Sequence, residues 1–206
     1  MAGGPFVPTF LRALPLARTA LAYAAHFHRE QRRESDAAPF VLHPLEVAAM
    51  LHHSGHPEPV VAAAILHDTV ENTDAEPGEI RSRFGDEVAD LVAALTEDGA
   101  IGVFEERKAS LRRQVADFGA HATAVYAADK VAKVRELRVR ATHDRAFLFE
   151  SEARRKLAHY DESLIMLEQC AAGHPLVRQL RFELEALATL PPRTPGALPI
   201  AQHAGS

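Results

Sequence analysis

The chain of 206 residues lacks the marks of several protein classes. It has one cysteine, Cys170, so no internal disulfide can form, as is usual in a reducing compartment. Its longest apolar run is far too short to cross a bilayer, and the N-terminus lacks the basic and apolar regions of a signal peptide. We therefore expect a cytoplasmic protein with no membrane partner. Cys170 falls in an apolar helical stripe, which predicts a packed core thiol.

The chain also lacks a basic excess and a strong β-strand signal. Its formal net charge of −5 argues against a nucleic-acid binder, which usually carries a large positive charge. Aromatic residues make up 6% of the chain, and β-branched runs with period-two alternation are few. Helical periodicity dominates instead. These features predict an all-α fold.

Proline and glycine divide the periodic pattern into helical segments. We predict helices over 14–32, 44–54, 58–71, 77–83, 86–97, 104–117, 121–141, 146–171 and 174–189. The chain from residue 191 is rich in proline, which is typical of disorder. We therefore expect a flexible N-terminus over 1–9, one helical domain over 10–190 and a disordered tail over 191–206.

The most informative segment is the apolar helical run 62–73, because His67 and Asp68 interrupt it and Glu71 follows one turn later. On a helix Glu71 lies four residues after His67 and three after Asp68, so it shares their face. A buried face rarely tolerates three ionisable groups unless something satisfies them, and a divalent metal does so. This segment therefore indicates metal-dependent hydrolysis.

Two further residues are candidate ligands, although each alone has an ordinary explanation. His43 precedes Pro44 at a predicted helix start, where a histidine often serves as a cap. Asp129 lies in an apolar helical segment, where an aspartate often pairs with a lysine such as Lys133 at i+4. Taken together with His67 and Asp68, they make two nitrogen and two oxygen donors. That mixed set suits Mn, Fe, Co or Zn better than Ca.

The order of these motifs resembles the HD phosphohydrolase superfamily, in its RelA/SpoT-type branch of small alarmone hydrolases. The similarity extends over about residues 20–140. The matching segments are His28–Arg33, Pro39–Pro44, Ala64–Glu71, Arg83–Val88, Leu95–Asp98, Glu106–Lys108 and Ala128–Lys130. The resemblance implies a compact helical HD-domain bundle with a metal site between helices.

The resemblance also implies a function and a set of site residues. The metal ligands are His43, His67, Asp68 and Asp129, which usually hold manganese. Family members hydrolyse the 3′-pyrophosphate of guanosine tetra- or pentaphosphate, the alarmone (ppGpp) of the stringent response. The small-molecule nucleotide is expected to contact six residues, Gln31, Arg32, Arg33, Lys108, Lys130 and Lys133.

The resemblance assigns the catalytic step to Glu71, which can orient or deprotonate water, and to the neighbouring Asn72. The family usually has aspartate at residue 72 and asparagine at residue 133, and lysine is common where Tyr126 stands. Asn72 can form hydrogen bonds but cannot accept a proton at neutral pH. Lys133 adds a positive charge near the metal.

Three hypotheses therefore stay open. The first is a metal-dependent pyrophosphohydrolase acting on guanosine 3′-pyrophosphates. The second is an HD phosphohydrolase acting on another phosphorylated nucleotide, such as a nucleoside monophosphate, an adenine alarmone or the 2′-phosphate of NADPH. The third is a non-catalytic nucleotide-binding helical module. The sequence makes no prediction of oligomeric state.

Overall fold

The fold is all-α, as the sequence predicts, in a computed structural model that describes residues 8–189. Within this range the backbone forms no β-strand, and one isolated bridge joins Arg32 and Pro39. The predicted tail over 191–206 and residues 1–7 of the predicted N-terminal segment lie outside it. The α-helices are α1 (Pro15–Phe27), α2 (Leu42–His53), α3 (Glu58–Leu66), α4 (Thr69–Asn72), α5 (Pro77–Phe84), α6 (Asp86–Leu95), α7 (Phe104–Phe118), α8 (Ala120–His143), α9 (Ser151–Ala171) and α10 (Pro175–Ala188). Short 3₁₀ helices cover Thr9–Ala13 and Ala146–Phe149.

Two helices form the centre of the bundle. Every residue of α3 from Val60 to Leu66 is buried, because apolar side chains cover all its sides and α1, α2 and α6 pack around it. Helix α8 is buried from Ala122 to Ala132 and packs against α2, α7, α9 and α10. The predicted ligands lie in or beside these helices. A site built from them is therefore inside the bundle.

Proline and glycine residues mark several of the helix boundaries. Pro15, Pro77 and Pro175 each occupy the first position of a helix, where the missing N–H has no helical partner to lose. Gly85 separates α5 from α6 with a φ of 85°, and Gly119 separates α7 from α8 with a φ of 112°. Both angles fall in the region that favours glycine.

Three predicted helices are wrong in part. The helix predicted over 14–32 ends at Phe27, because the chain turns after His28 and then runs back to pair Arg32 with Pro39. The helix predicted over 58–71 divides into α3 and α4 at His67 and Asp68, where the His67 ring bonds to a backbone carbonyl of the preceding turn. The helix predicted over 146–171 starts as a 3₁₀ segment and begins again at Ser151.

The prediction for Cys170 is also wrong. The residue is exposed near the end of α9, where its thiol donates to the Met166 carbonyl at 3.2 Å. The apolar stripe of α9 therefore does not extend to this position.

Candidate metal and nucleotide site

Four side chains from three helical regions meet at one point inside the bundle. His43 comes from the first turn of α2, His67 and Asp68 follow the end of α3, and Asp129 lies in the middle of α8. Each is at most 5% exposed. Asp129 Oδ1 lies 3.0 Å from His43 Nε2 and 3.4 Å from His67 Nε2. Asp68 Oδ2 lies 3.5 Å from His43 Nε2 and 3.4 Å from His67 Nε2. The structure thus brings together all four residues predicted as ligands.

The neighbours of the two imidazole rings set their orientation. His67 Nδ1 lies 2.7 Å from the Ala64 carbonyl oxygen. Because a carbonyl only accepts, Nδ1 carries the hydrogen, and in the neutral ring Nε2 keeps its lone pair. His43 Nδ1 lies 3.3 Å from Glu136 Oε1, without the geometry of a well-formed hydrogen bond. In both histidines Nε2 is the nitrogen that faces the aspartates.

The donor atoms fit a divalent transition metal. In the described part of the chain, His67 Nε2 and Asp68 Oδ2 are buried without a hydrogen-bond partner. Leaving such groups unsatisfied costs about 1–3 kcal/mol each, and a bound cation would satisfy both. Ligand atoms about 2.1 Å from one ion are separated from each other by about 3.0–3.4 Å, which matches the observed spacing. Within residues 8–189, His43, His67 and Asp129 form the one group whose ligand atoms all lie within 4.8 Å of one another. Asp68 is not part of that group and adjoins it through its contacts of 3.4–3.5 Å with the two histidines.

Electrostatics keeps both aspartates ionised. Burial opposes ionisation of Asp68, but His67, Lys133 and His43 outweigh it and lower its pKa to about 2. Burial likewise opposes ionisation of Asp129, and Lys130 and Lys133 hold its pKa well below the usual range. Burial lowers the pKa of His43, yet contacts with Asp129 and Glu136 raise it to about 9. A metal bound there at neutral pH would have to displace a proton from His43.

Glu71, the predicted proton acceptor, borders the group formed by His43, His67, Asp68 and Asp129, which we call the metal cluster. It lines a cavity of about 30 Å³ together with His67, Asp68 and Asp129. Its Oε2 accepts a hydrogen bond from the Glu97 backbone N–H at 3.3 Å. Desolvation of the carboxylate, with Glu97 and Asp68 nearby, raises the pKa of Glu71. A raised pKa suits a group that takes a proton from water near neutral pH.

Asn72, the second predicted catalytic residue, does not line this small cavity. It is exposed on the wall of a larger cleft, and its backbone carbonyl accepts a hydrogen bond from Gln31 Nε2 at 2.8 Å. The predicted pairing of Asn72 with Glu71 at one reaction centre therefore stays a prediction.

The larger cleft has a volume of about 560 Å³ and adjoins the metal cluster. Three lysines, Lys108, Lys130 and Lys133, line both cavities and so connect them. The six predicted nucleotide contacts all line the cleft, and they are Gln31, Arg32, Arg33, Lys108, Lys130 and Lys133.

Acidic neighbours engage most of these cations. Lys130 donates to Asp129 Oδ2 at 2.6 Å, and Lys133 lies 3.1 Å from Asp129 Oδ1. Lys108 pairs with Glu97, and Arg33 pairs with Asp36. Arg32 donates instead to the backbone carbonyls of residues 29 and 31. Arg32 is exposed, so a phosphate could compete for it without breaking an ion pair.

Sequence reasoning missed two acidic residues and much of one cleft wall. Glu97 binds both Arg107 and Lys108, and Glu136 faces His43. Glu136 follows Asp129 by seven residues, two helical turns along the same face, which is a signal present in the sequence. The missed wall comes from α7, α8 and α9 and consists of Phe104, Arg140, Lys156, His159 and Tyr160.

Comparison with known proteins agrees with this geometry. The family model described as HD domain matches residues 20–155. A mouse protein named guanosine-3′,5′-bis(diphosphate) 3′-pyrophosphohydrolase MESH1 is 38% identical over 118 residues, which cover 56% of this chain and 65% of the mouse protein. An Aquifex aeolicus protein with the same enzyme name is 39% identical over 93 residues, covering 45% of this chain and 13% of its own length. The chain thus matches less than two thirds of either relative.

A solved structure extends the similarity to the whole bundle. It is described as a metazoan ortholog of SpoT that hydrolyses ppGpp, and it superposes with a TM-score of 0.73 at 28% identity. The match covers 90% of this chain and 99% of the other. The chain belongs to the HD domain family, and its predicted likeness to small alarmone hydrolases is confirmed.

No helix within residues 8–189 combines the length and apolar character needed to span a membrane.

Proposed function

We propose that this protein is a divalent-metal-dependent hydrolase that removes the 3′-pyrophosphate of guanosine tetra- or pentaphosphate. The observation that carries the proposal is the convergence of two imidazoles and two carboxylates beside a cleft lined with cations. The similarity to proteins named as 3′-pyrophosphohydrolases supports this choice of substrate. Manganese as the metal and a cytoplasmic location belong to the same proposal.

The ligands are His43, His67, Asp68 and Asp129. A divalent ion bound there lowers the pKa of water and polarises a phosphoryl oxygen. Glu71 accepts a proton from the attacking water. The water oxygen bonds to the phosphorus next to O3′, the bond between that phosphorus and O3′ breaks, and O3′ leaves with a proton. The products are pyrophosphate and guanosine 5′-diphosphate, or the 5′-triphosphate from the pentaphosphate, each with a free 3′-hydroxyl.

Charge balance explains why a polyphosphate suits this site. Asp68 and Asp129 are countered by Lys130 and Lys133, which lie within 4.0 Å of one or both carboxylates. The two positive charges of a bound cation are then left to attract phosphate groups. Arg32 and Arg33 also line the cleft and can bind phosphate groups there.

Lys133 favours a second candidate, an HD hydrolase for a different phosphorylated nucleotide. Its ammonium lies 3.1 Å from Asp129 and 4.0 Å from Asp68, and it borders both cavities. A fixed positive charge at this point can select a terminal phosphate, such as the 2′-phosphate of NADPH or a nucleoside monophosphate.

One substrate panel tests both candidates. The protein is stripped with a chelator, supplied with Mn²⁺ and offered guanosine tetraphosphate, a nucleoside monophosphate, an adenine alarmone and NADPH. Pyrophosphate and orthophosphate are measured separately. We expect pyrophosphate from guanosine tetraphosphate, and only with metal. Orthophosphate from another nucleotide as the main product would support the second candidate. Tight nucleotide binding without turnover would contradict both and indicate a non-catalytic module.

A further inference from the structure

Glu136 contacts residues of both the metal cluster and the cleft, and the proposed reaction gives it no role. It lies two turns after Asp129 on α8, and its side chain is 22% exposed. One carboxylate oxygen, Oε1, lies 3.3 Å from His43 Nδ1 and 3.9 Å from an Arg33 guanidinium nitrogen. The other, Oε2, accepts a hydrogen bond from Ser35 Oγ at 3.3 Å. The carboxylate therefore touches both a proposed ligand and the proposed nucleotide segment.

We propose that Glu136 is the positioning residue for His43. Its carboxylate attracts the Nδ1–H of His43 across a distance of 3.3 Å and so holds the ring with Nε2 toward Asp68 and Asp129. This inference rests on the proposed metal-dependent function. Carboxylate partners of metal-binding histidines fix the ring orientation and raise the basicity of the ligating nitrogen.

The two histidines differ in how they are held, which makes the inference specific to His43. His67 donates to the Ala64 carbonyl, a backbone group that no substitution at another site removes. His43 has only a side-chain partner for Nδ1, and that contact is longer than the one made by His67. Loss of Glu136 should therefore loosen one of the two imidazole ligands and leave the other in place.

The alternative role for Glu136 is to position Arg33 and Ser35, which it also contacts. The two roles have different consequences. A partner of His43 changes the affinity for metal in the absence of nucleotide. A partner of Arg33 and Ser35 changes the KM for nucleotide and leaves metal affinity untouched.

The test measures Mn²⁺ binding directly, by electron paramagnetic resonance of the free ion, on the full chain without nucleotide. The variants are Glu136→Ala, Glu136→Gln and Glu136→Asp, and Glu87→Gln is the control because it removes the same charge from an exposed position on α6. We expect Glu136→Ala to weaken Mn²⁺ binding by about 10–100-fold, the usual effect of losing such a partner. Glu136→Gln, which keeps an acceptor oxygen, should weaken it less, and Glu136→Asp should partly restore it.

Each result decides the question. Equal Mn²⁺ affinity in the folded wild-type protein and all three variants overturns the inference and leaves the proposed function intact. A raised KM with unchanged Mn²⁺ affinity also overturns it and assigns Glu136 to Arg33. Absence of Mn²⁺ binding in the wild-type protein contradicts the proposed function and this inference together. Circular dichroism at each step shows whether a variant folds, and Glu136→Gln replaces Glu136→Ala if the alanine variant does not.

Discussion

Two histidine pairs in this molecule have similar spacing but different surroundings, since the ring centroids lie 5.6 Å apart for His43 and His67 and 5.4 Å apart for His56 and His174. In the metal cluster, the Nε2 atoms of His43 and His67 each lie 3.0–3.5 Å from aspartate oxygens. In the second pair, His56 Nε2 lies 3.2 Å from His174 Nε2. His56 precedes α3, and His174 is the N-cap of α10. We call His56 and His174 the distal pair.

The difference lies in what the other ring nitrogen does. His67 Nδ1 donates to a carbonyl, which leaves Nε2 free to bind a cation. His174 Nδ1 instead accepts from the Leu176 backbone N–H at 3.2 Å. A neutral His174 must then carry its hydrogen on Nε2, where it donates to His56. The hydrogen bonds of the distal pair therefore favour neutral imidazoles. Short spacing between two imidazoles alone does not make a metal site.

The largest expected effect separates the two pairs by metal binding. His67→Ala should abolish Mn²⁺ binding and reduce hydrolysis to background, because it removes a ligand that Asp68 and Asp129 cannot replace. In the wild-type protein, Mn²⁺ at 100 times its Kd should add about 2.7 kcal/mol to the free energy of unfolding. Urea unfolding with and without Mn²⁺ measures this gain, which His67→Ala should lose.

The matched control is His56→Ala, which removes an imidazole from the distal pair. It should keep the Mn²⁺-dependent gain in stability and the hydrolytic rate. If His56→Ala lost the metal while His67→Ala kept it, the contrast between the pairs would be reversed, and the metal cluster would be misassigned.

Substitution of Glu71 should change Mn²⁺ binding little but slow hydrolysis strongly. The reason is that the Glu71 carboxylate lies beside the metal cluster, where it can accept a proton. Glu71→Gln should lower kcat by about 10²–10⁴-fold, the usual contribution of general base catalysis. Mn²⁺ affinity should stay close to that of the wild-type protein, because Glu71 is not one of the four ligands. A variant with unchanged kcat would show that another group receives the proton.

The metal cluster could be predicted because its residues stand in short local patterns. His67 and Asp68 interrupt an apolar helix, and because both are buried the interruption is informative, whereas Glu71 follows at an exposed position and not on the buried face that the pattern predicts. His43 and Asp129 could be predicted as ligands only from the order of the motifs along the chain. The break between α3 and α4 was not predictable from periodicity, because the apolar pattern continues up to His67, whose ring then bonds to the carbonyl of Ala64 at the break.

The rest of the site depends on contacts between distant segments. His159 and Tyr160 reach the cleft only because α9 packs against α7 and α8. The distal pair joins residues 118 positions apart, and nothing local in the sequence links them. Glu136 is an intermediate case. Its separation of seven residues from Asp129 predicts that both lie on one face of α8, but nothing in the sequence predicts its contact with His43 of α2.

The smallest expected effect concerns the pH dependence of the distal pair. Desolvation, with His174 and His121 nearby, lowers the pKa of His56, and desolvation with Arg178 lowers the pKa of His174. Because the folded-state values lie below the unfolded value of about 6.5, the unfolded chain binds more protons as the pH falls through that range. The pair should therefore contribute its full stability above about pH 7 and lose it progressively below about pH 6.5.

His174→Asn isolates this effect, because asparagine can cap α10 by accepting from Leu176 but cannot take up a proton. At pH 7.5 in excess chelator, the variant and the wild-type protein should have free energies of unfolding within about 1 kcal/mol of each other. Between pH 7.5 and 5.5 the wild-type protein should lose more stability than the variant, by about 1 kcal/mol or less, since both histidines are partly exposed. Other histidines titrate in both proteins, so their contribution cancels in the difference. Parallel pH curves from urea unfolding would mean that protonation leaves the pair intact, and the contrast with the metal cluster would then rest on the aspartates alone.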